Sequence, residues 1–216
     1  MPTSLHPMGK SDYCSVHSDG MITLPDVVVR RIGWTPGVRQ KIVVDFILDP
    51  VTLLFRKAEG GRAGFTLSYL NKNGDSISGG KISCSAFINQ YVKPKLILPI
   101  RDLVPIYDVS PYNLALLLEQ PDWCRVPFSK SGQTEIDGSA IGIYQLLGHH
   151  DHQLYVGIGN IAERFNAHLR RDDMVSVGRQ FEYHIIQRED ALLLEKILMA
   201  LHESEFGDVP EFNQRR

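Results

Sequence analysis

Ile141-Gly142-Ile143-Tyr144-Gln145-Leu146-Leu147 and Leu154-Tyr155-Val156-Gly157-Ile158 are two alternating apolar runs parted by the polar stretch Gly148 to Gln153. Strand side chains point alternately to two faces, so such runs around a polar turn predict a β-hairpin. Immediately beyond it, Gly159-Asn160-Ile161-Ala162-Glu163 places a good N-cap residue three positions before a glutamate, the spacing of a capping box. The spacing predicts a helix starting there. Ile161, Phe165 and Leu169 then fall on one face, while Arg164 and His168, four apart, share the face next to it. Hairpin and helix here, together with a β-rich region earlier in the chain, predict an α+β fold class for the whole protein.

Further along, Phe181 to Ile186 is a predicted strand, and Glu189 to Glu203 a second amphipathic helix with the stripe Leu193, Leu194, Ile197, Leu198 and Leu201. Glu195 lies beside that stripe. The chain closes on Pro210-Glu211-Phe212-Asn213. Taken singly these residues have ordinary explanations: a tyrosine in a strand packs, an arginine on a helix is solvated. Their order and spacing are what stand out: G-I-Y, then Y-V-G eleven residues after Tyr144, Arg164 with His168 four later, a Glu in a later helix, and an Asn after Pro and an aromatic. Over residues 139–213 this resembles the GIY-YIG nuclease family. The resemblance implies a small α/β domain with a short antiparallel sheet flanked by helices. It implies catalytic roles for Tyr144, Tyr155, Arg164, His168, Glu195 and Asn213, with Glu195 the ligand of one divalent cation, Mg²⁺ or Mn²⁺.

The residue types suit phosphodiester hydrolysis, which needs an activated water, stabilisation of extra negative charge on phosphorus, and help for the departing oxygen. A single carboxylate with phosphate and waters completing the shell suits Mg²⁺. Arg164 can fork onto a phosphate in a way a lysine cannot. An unperturbed phenol has a pKa near 10 and is a weak base at neutral pH, so whether Tyr144, Tyr155 or His168 activates the water stays open. His149, His150, Asp151 and His152 look like metal ligands, but adjacent residues chelate one ion poorly, and they are expected to form an exposed turn. No P-loop, G-x-G-x-x-G or G-x-S-x-G pattern is present.

Toward the N-terminus the pattern changes to short β-rich runs separated by Gly, Pro, Asn and Asp. Lys41 to Leu48 and Val51 to Arg56 flank Asp49-Pro50 and predict a hairpin. An echo recurs at an offset of roughly 60 residues. Ile22-Thr23 leads into Val27 to Ile32, and Ile82-Ser83 into Phe87 to Val92; β-rich runs follow each, ending at Val51 to Phe55 and at Tyr112 to Leu118. The first copy, with Met21 to Pro25, Val28 to Trp34, Pro36-Gly37 and the strand pair, resembles AbrB/MazE-type swapped-hairpin DNA-binding domains. That implies DNA contacts from Arg30, Arg31, Arg39 and Lys41. The second copy lacks the Arg pair and the Pro-Gly turn, so it would supply the interlocking half. An ordinary small β-domain with surface arginines is the alternative.

The division expected is a tail at 1–19, a β-rich recognition domain at 20–120, a linker at 121–138 rich in Pro, Ser and Gly, and the nuclease-like domain at 139–216. Composition sets limits around it. The 216 residues are 43% hydrophobic and 22% charged, ordinary globular usage. The longest apolar stretch, Ile42 to Phe55, is broken by Asp45, Asp49 and Pro50 and is far short of a membrane span. A polar N-terminus without an apolar core predicts a cytoplasmic protein. Three scattered cysteines suggest neither a disulfide framework nor a zinc knuckle. The net charge of −2 hides 13 Lys/Arg against 10 Asp/Glu in residues 1–120 and 10 against 15 thereafter. DNA contact would therefore come from local clusters rather than bulk charge. Together these features lead to the expectation of a site-specific, restriction-like endonuclease acting on double-stranded DNA, as a monomer or as a homodimer on DNA. A mobile-element endonuclease, and a DNA-binding regulator with a non-catalytic nuclease-like domain, are the alternatives.

Overall fold

Ile22 stands directly opposite Ile82 in an antiparallel strand pair, and the organisation of the first half of the chain follows from that register. In the computed structural model, which describes residues 12–59, 64–70, 74–136 and 138–214, the chain divides into two compact units that meet in sequence at Gln120 and Pro121.

The first unit is a curled nine-stranded antiparallel sheet in the order β7-β1-β2-β6-β5-β3-β4-β9-β8. Its strands are β1 (Cys14–Val16), β2 (Met21–Leu24), β3 (Gln40–Leu48), β4 (Val51–Lys57), β5 (Phe65–Leu70), β6 (Ser76–Ser83), β7 (Ile100–Leu103), β8 (Ile106–Tyr107) and β9 (Leu114–Leu117). Helix α1 (Asp26–Arg31) follows β2, and α2 (Ser85–Phe87), continued by a π-helical turn Ile88–Val92, follows β6. Around the β2/β6 pair the order is palindromic. β2, β1 and β7 run out on one side, and β6, β5 and β3 on the other. Moved by 60 residues, the pair Met21 with Ser83 becomes Lys81 with Thr23, which is also observed. The outer strand on each side comes from the other copy: β3 follows α1 but pairs β5, and β7 follows α2 but pairs β1. The echo at an offset near 60 is thus two interleaved copies related by a pseudo-two-fold through Ile22 and Ile82.

The copies diverge after their helices. The first forms the expected hairpin, with Leu48 opposite Val51 across Asp49-Pro50. In the second, β7 is four residues long, and β9 pairs with β4 instead, carrying β8 with it. One core serves both copies, with Ile22, Leu24, Val28, Val29, Ile42, Leu53, Phe55, Leu67 and Ile82 fully buried. The tail expected at 1–19 is corrected in its described part, because Cys14 and Val16 are buried and β1 is an inner strand. The rest, 1–11, lies outside the described residues.

The second unit is a four-stranded antiparallel sheet in the order β10-β13-β11-β12. The strands are β10 (Cys124–Pro127), β11 (Ile141–Leu147), β12 (Gln153–Asn160) and β13 (Gln180–Ile185), with helices α3 (Ile161–Leu169), α4 (Asp172–Val177) and α5 (Arg188–Phe206). The predicted hairpin is β11/β12, and Asn160 caps α3 by accepting the Glu163 amide at 2.9 Å. Helix α5 runs past its predicted end and stops at Gly207, which takes the left-handed conformation at φ 83°. The expected linker 121–138 is corrected: Val126 and Phe128 are buried, and their alternation with polar neighbours draws β10 onto β13 as an edge strand. Pro and Ser density marked a loop but hid a four-residue strand inside it. Among the described residues no helix is long and apolar enough to cross a membrane.

Candidate active site

Tyr144 sits on β11, inside the sheet, opposite Gly157 on β12 and Tyr183 on β13. Its ring lies between Tyr155 (centroids 5.8 Å, 28°) and Phe181 (5.1 Å, 18°). α3 covers this face, with Phe165 edge-on to Phe181 at 4.9 Å. One turn beyond Phe165, His168 brings Nε2 to 3.0 Å from the Tyr144 hydroxyl, and its ring lies 4.9 Å from that of Tyr155. The three side chains are 1%, 6% and 7% exposed. This is a buried phenol–imidazole pair roofed by a second phenol.

Gly157 explains the tyrosine-to-glycine spacing on β12. A Cβ there would lie 2.6 Å from the Tyr144 hydroxyl and 2.7 Å from Cε1 of Tyr155. The two rings therefore converge over a bare Cα, and any side chain would drive them apart. Gly159 has a parallel role at the strand's end. Its φ is 141°, and a Cβ would meet Arg164 Nε at 2.9 Å, so the Arg164 stem lies back along the strand while the residue remains exposed. Arg164 and His168, four apart on α3, thus share one side of the helix next to β12.

Glu195 lies on α5, which packs across β12 and β11. It is 8% exposed and belongs to the helix's buried side with Ala191, Leu194 and Leu198, inside the packing rather than at its margin. Among the described residues no group of three or more His, Cys, Asp or Glu gathers around a common point. A preformed protein cage for a cation is absent from that set, and Glu195 is the one carboxylate the resemblance assigns to a cation. Asn213 has a different place. Its Oδ1 accepts the Val156 amide at 2.9 Å and its Nδ2 donates to the Val156 carbonyl at 2.8 Å. With Phe212 donating its amide to Leu154, the C-terminal segment is laced onto β12, so Asn213 holds the strand that carries Tyr155 and Gly157.

Arg171 is a residue that sequence reasoning missed. It sits just past α3, donates its amide to the His168 carbonyl, pairs bidentately with Asp173 at 2.8 and 3.2 Å, and lies 5.5 Å over the Phe212 ring. Its guanidinium pKa is raised, first by the Asp173 hydrogen bond and in small part by Tyr155 nearby. Its position three residues after His168 was the available signal. His149 to His152 form an exposed turn as expected: His149 meets Arg179 at 3.0 Å, Asp151 meets Arg125 at 3.4 Å, and the His152 ring lies 6.0 Å from that of His202, tilted by 53°.

In the first unit, Arg30, Arg31, Arg39 and Lys41 are all exposed. Arg30 and Arg31 end α1, where cations complement the helix dipole. The Arg31 guanidinium lies 4.1 Å over the Tyr107 ring, and Lys41 donates to the Gly64 carbonyl at 3.2 Å. No protein-family model, curated protein or solved structure matches the chain.

Proposed function

We propose that the second unit is a metal-dependent DNA endonuclease of the GIY-YIG type and that the first is an AbrB-like single-chain recognition module. The observation that carries the first half is the Tyr144–His168 pair at 3.0 Å with Tyr155 beside it. The resemblance singles these residues out, and Tyr144 and His168, 24 apart in sequence, meet. Neutral His168 can take the phenol proton through Nε2, which makes Tyr144 a stronger acceptor for a proton from water than a phenol in solution. In hydrolysis one P–O bond forms from water and one breaks, and the proton released by the water passes to the phenol–imidazole pair. Arg164, exposed beside the pair, holds the phosphate with its planar fork. A cation bound by Glu195 would supply charge neutralisation at the nonbridging oxygen and the leaving group. Asn213 acts through β12 as a positioning residue.

The interleaved copies of the first unit support the recognition half, since that arrangement needs no second chain to complete the sheet. Arg30, Arg31, Arg39 and Lys41 would meet double-stranded DNA, and the protein would act on defined sites in a restriction-like role, as a monomer or as a homodimer. The experiment is plasmid nicking and linearisation in Mg²⁺ by the full chain, with sequencing of the ends. Defined ends in wild type and none in Tyr144→Phe support the reading.

A second reading is favoured by one number. At 1% exposure Tyr144 is closed to solvent, which suits a nuclease-like fold kept as a non-catalytic binding module. DNA binding without cleavage in Mg²⁺ or Mn²⁺ would select it.

A further inference from the structure

On the side of α3 away from Arg164 and His168 lies a cleft of about 550 Å³. At 3.6 residues per turn, Asn166, Leu169 and Arg170 occupy one face of the helix, nearly opposite the face of the catalytic candidates. Lys130 and Gln133, from the segment joining β10 to β11, face them across the opening, and Phe128 forms the floor. Phe128 is 6% exposed and fixed by two other rings, edge-on to Phe165 at 5.5 Å and parallel to Phe181 at 6.5 Å. The floor is a rigid aromatic and aliphatic surface belonging to the unit's own core.

The rim differs in character from the floor. Lys130 and Arg170 are exposed, and among the described residues neither is joined to a carboxylate, whereas the adjacent Arg171 is occupied by Asp173. Between them Gln133 and Asn166 each offer donors and an acceptor. Uncompensated cations, amides and an apolar floor in one cleft match a ligand with the same three parts: an anionic group, a hydrogen-bonding edge and a flat apolar body. The volume lies within the range of small-ligand pockets and exceeds what a lone phosphate fills.

We infer that this cleft binds one nucleoside 5′-phosphate unit, its base against Phe128 and Leu169, its edge on Gln133 and Asn166, and its phosphate on Arg170 and Lys130. The proposal deepens the nuclease reading and rests on it only for the source of the unit, a nucleotide of the DNA strand rather than a free mononucleotide.

Isothermal titration of the full chain with dAMP, deoxyadenosine and inorganic phosphate tests it. dAMP should bind, with the nucleoside and the phosphate each at least tenfold weaker. Lys130→Gln combined with Arg170→Gln should weaken dAMP at least tenfold, and Asn166→Leu should weaken it with little effect on inorganic phosphate. Both changes fall on accessible side chains, and circular dichroism verifies the fold. Equal affinity for inorganic phosphate, no binding of dAMP, or binding indifferent to the variants overturns the site. Competition of dAMP by a duplex in Ca²⁺ assigns the unit to the strand. If dAMP binds as described but the chain neither competes with nor cuts DNA, the cleft stands and the nuclease reading falls; if DNA is cut but dAMP is ignored, the reverse holds.

Discussion

Tyr144 and Gln145 are neighbours on β11, and strand alternation sends them to opposite faces of the same sheet, where each enters a buried polar cluster of a different kind. Tyr144 meets the His168 imidazole within a nest of aromatic rings. Gln145 joins a chain across four strands: Arg125 on β10 grips Glu182 on β13 at 2.5 and 2.6 Å, Glu182 accepts the Gln145 amide at 2.5 Å, and Gln153 on β12 donates to Gln145. In the second cluster a carboxylate 4% exposed is matched by a cation and an amide of its own sheet. A buried charge so partnered is held for structure, since removing either partner would strand the other. The first cluster pairs a phenol with an imidazole, two groups that can each give or take a proton, and Arg164 lies on the same side of α3. Burial alone therefore does not separate the proposed catalytic groups from structural ones; what each is bonded to is the difference on which the proposal turns.

The largest expected effect is on activity. Tyr144→Phe keeps the ring packing and removes one hydroxyl, so cleavage should fall by about a hundredfold or more while stability drops by about 1 kcal/mol, the net worth of one buried hydrogen bond. Plasmid cleavage and thermal melting measured on the same sample check this. Unchanged cleavage would move Tyr144 into the structural class with Gln145.

The opposite pattern is expected across the sheet. Glu182→Ala leaves the Gln145 amide and the Arg125 guanidinium without their shared acceptor and should cost about 2–3 kcal/mol, with cleavage per folded molecule retained. A urea melt gives the first quantity and active-site-normalised cleavage the second. Gly157→Ala should fall between the two. Its new Cβ, 2.6 Å from the Tyr144 hydroxyl, must push the ring pair open, at a cost of about 1–3 kcal/mol and with loss of cleavage. A variant with wild-type melting and cleavage would show that the rings yield freely.

Only one of these two clusters was legible in the sequence, through the motif that carries the resemblance, and short separations explain why that motif could mark it. Tyr144, Tyr155 and His168 lie within one hairpin–helix segment, where strand alternation and the α3 cap fix relative positions over short separations. Arg125, Gln145, Gln153 and Glu182 are brought together by β10 and β13 pairing across separations of up to 57 residues, and β10 itself was hidden in a Pro- and Ser-rich stretch. In the first unit the echo between Ile22 and Ile82 could be read because both copies keep strand followed by helix. The exchange of β3 and β7 between copies could not, because pairing partners leave no periodic mark on either strand. Asn213 stood out through the resemblance alone, and its two bonds to Val156 were not readable because they depend on how the C-terminal segment runs beside β12.

The smallest expected effect concerns acid. His202, near the end of α5, is 7% exposed and packs beside Phe206 at 4.6 Å and His152 at 6.0 Å. Burial, and then the neighbouring His152, hold its pKa below the ordinary imidazole value, with Asp208 opposing. The unfolded chain, free of that burial, takes up the proton at the ordinary value near 6.5. Between that pH and the lower folded value the unfolded state binds more protons, so stability falls as the solution is acidified through this window and is flat above it. Melting temperatures from pH 7.5 down to 5 should decline for the wild type and decline less for His202→Gln, whose side chain stays neutral throughout. An acid sensitivity left undiminished in that variant would relocate the titration to another histidine, because the glutamine side chain takes up no proton in this range.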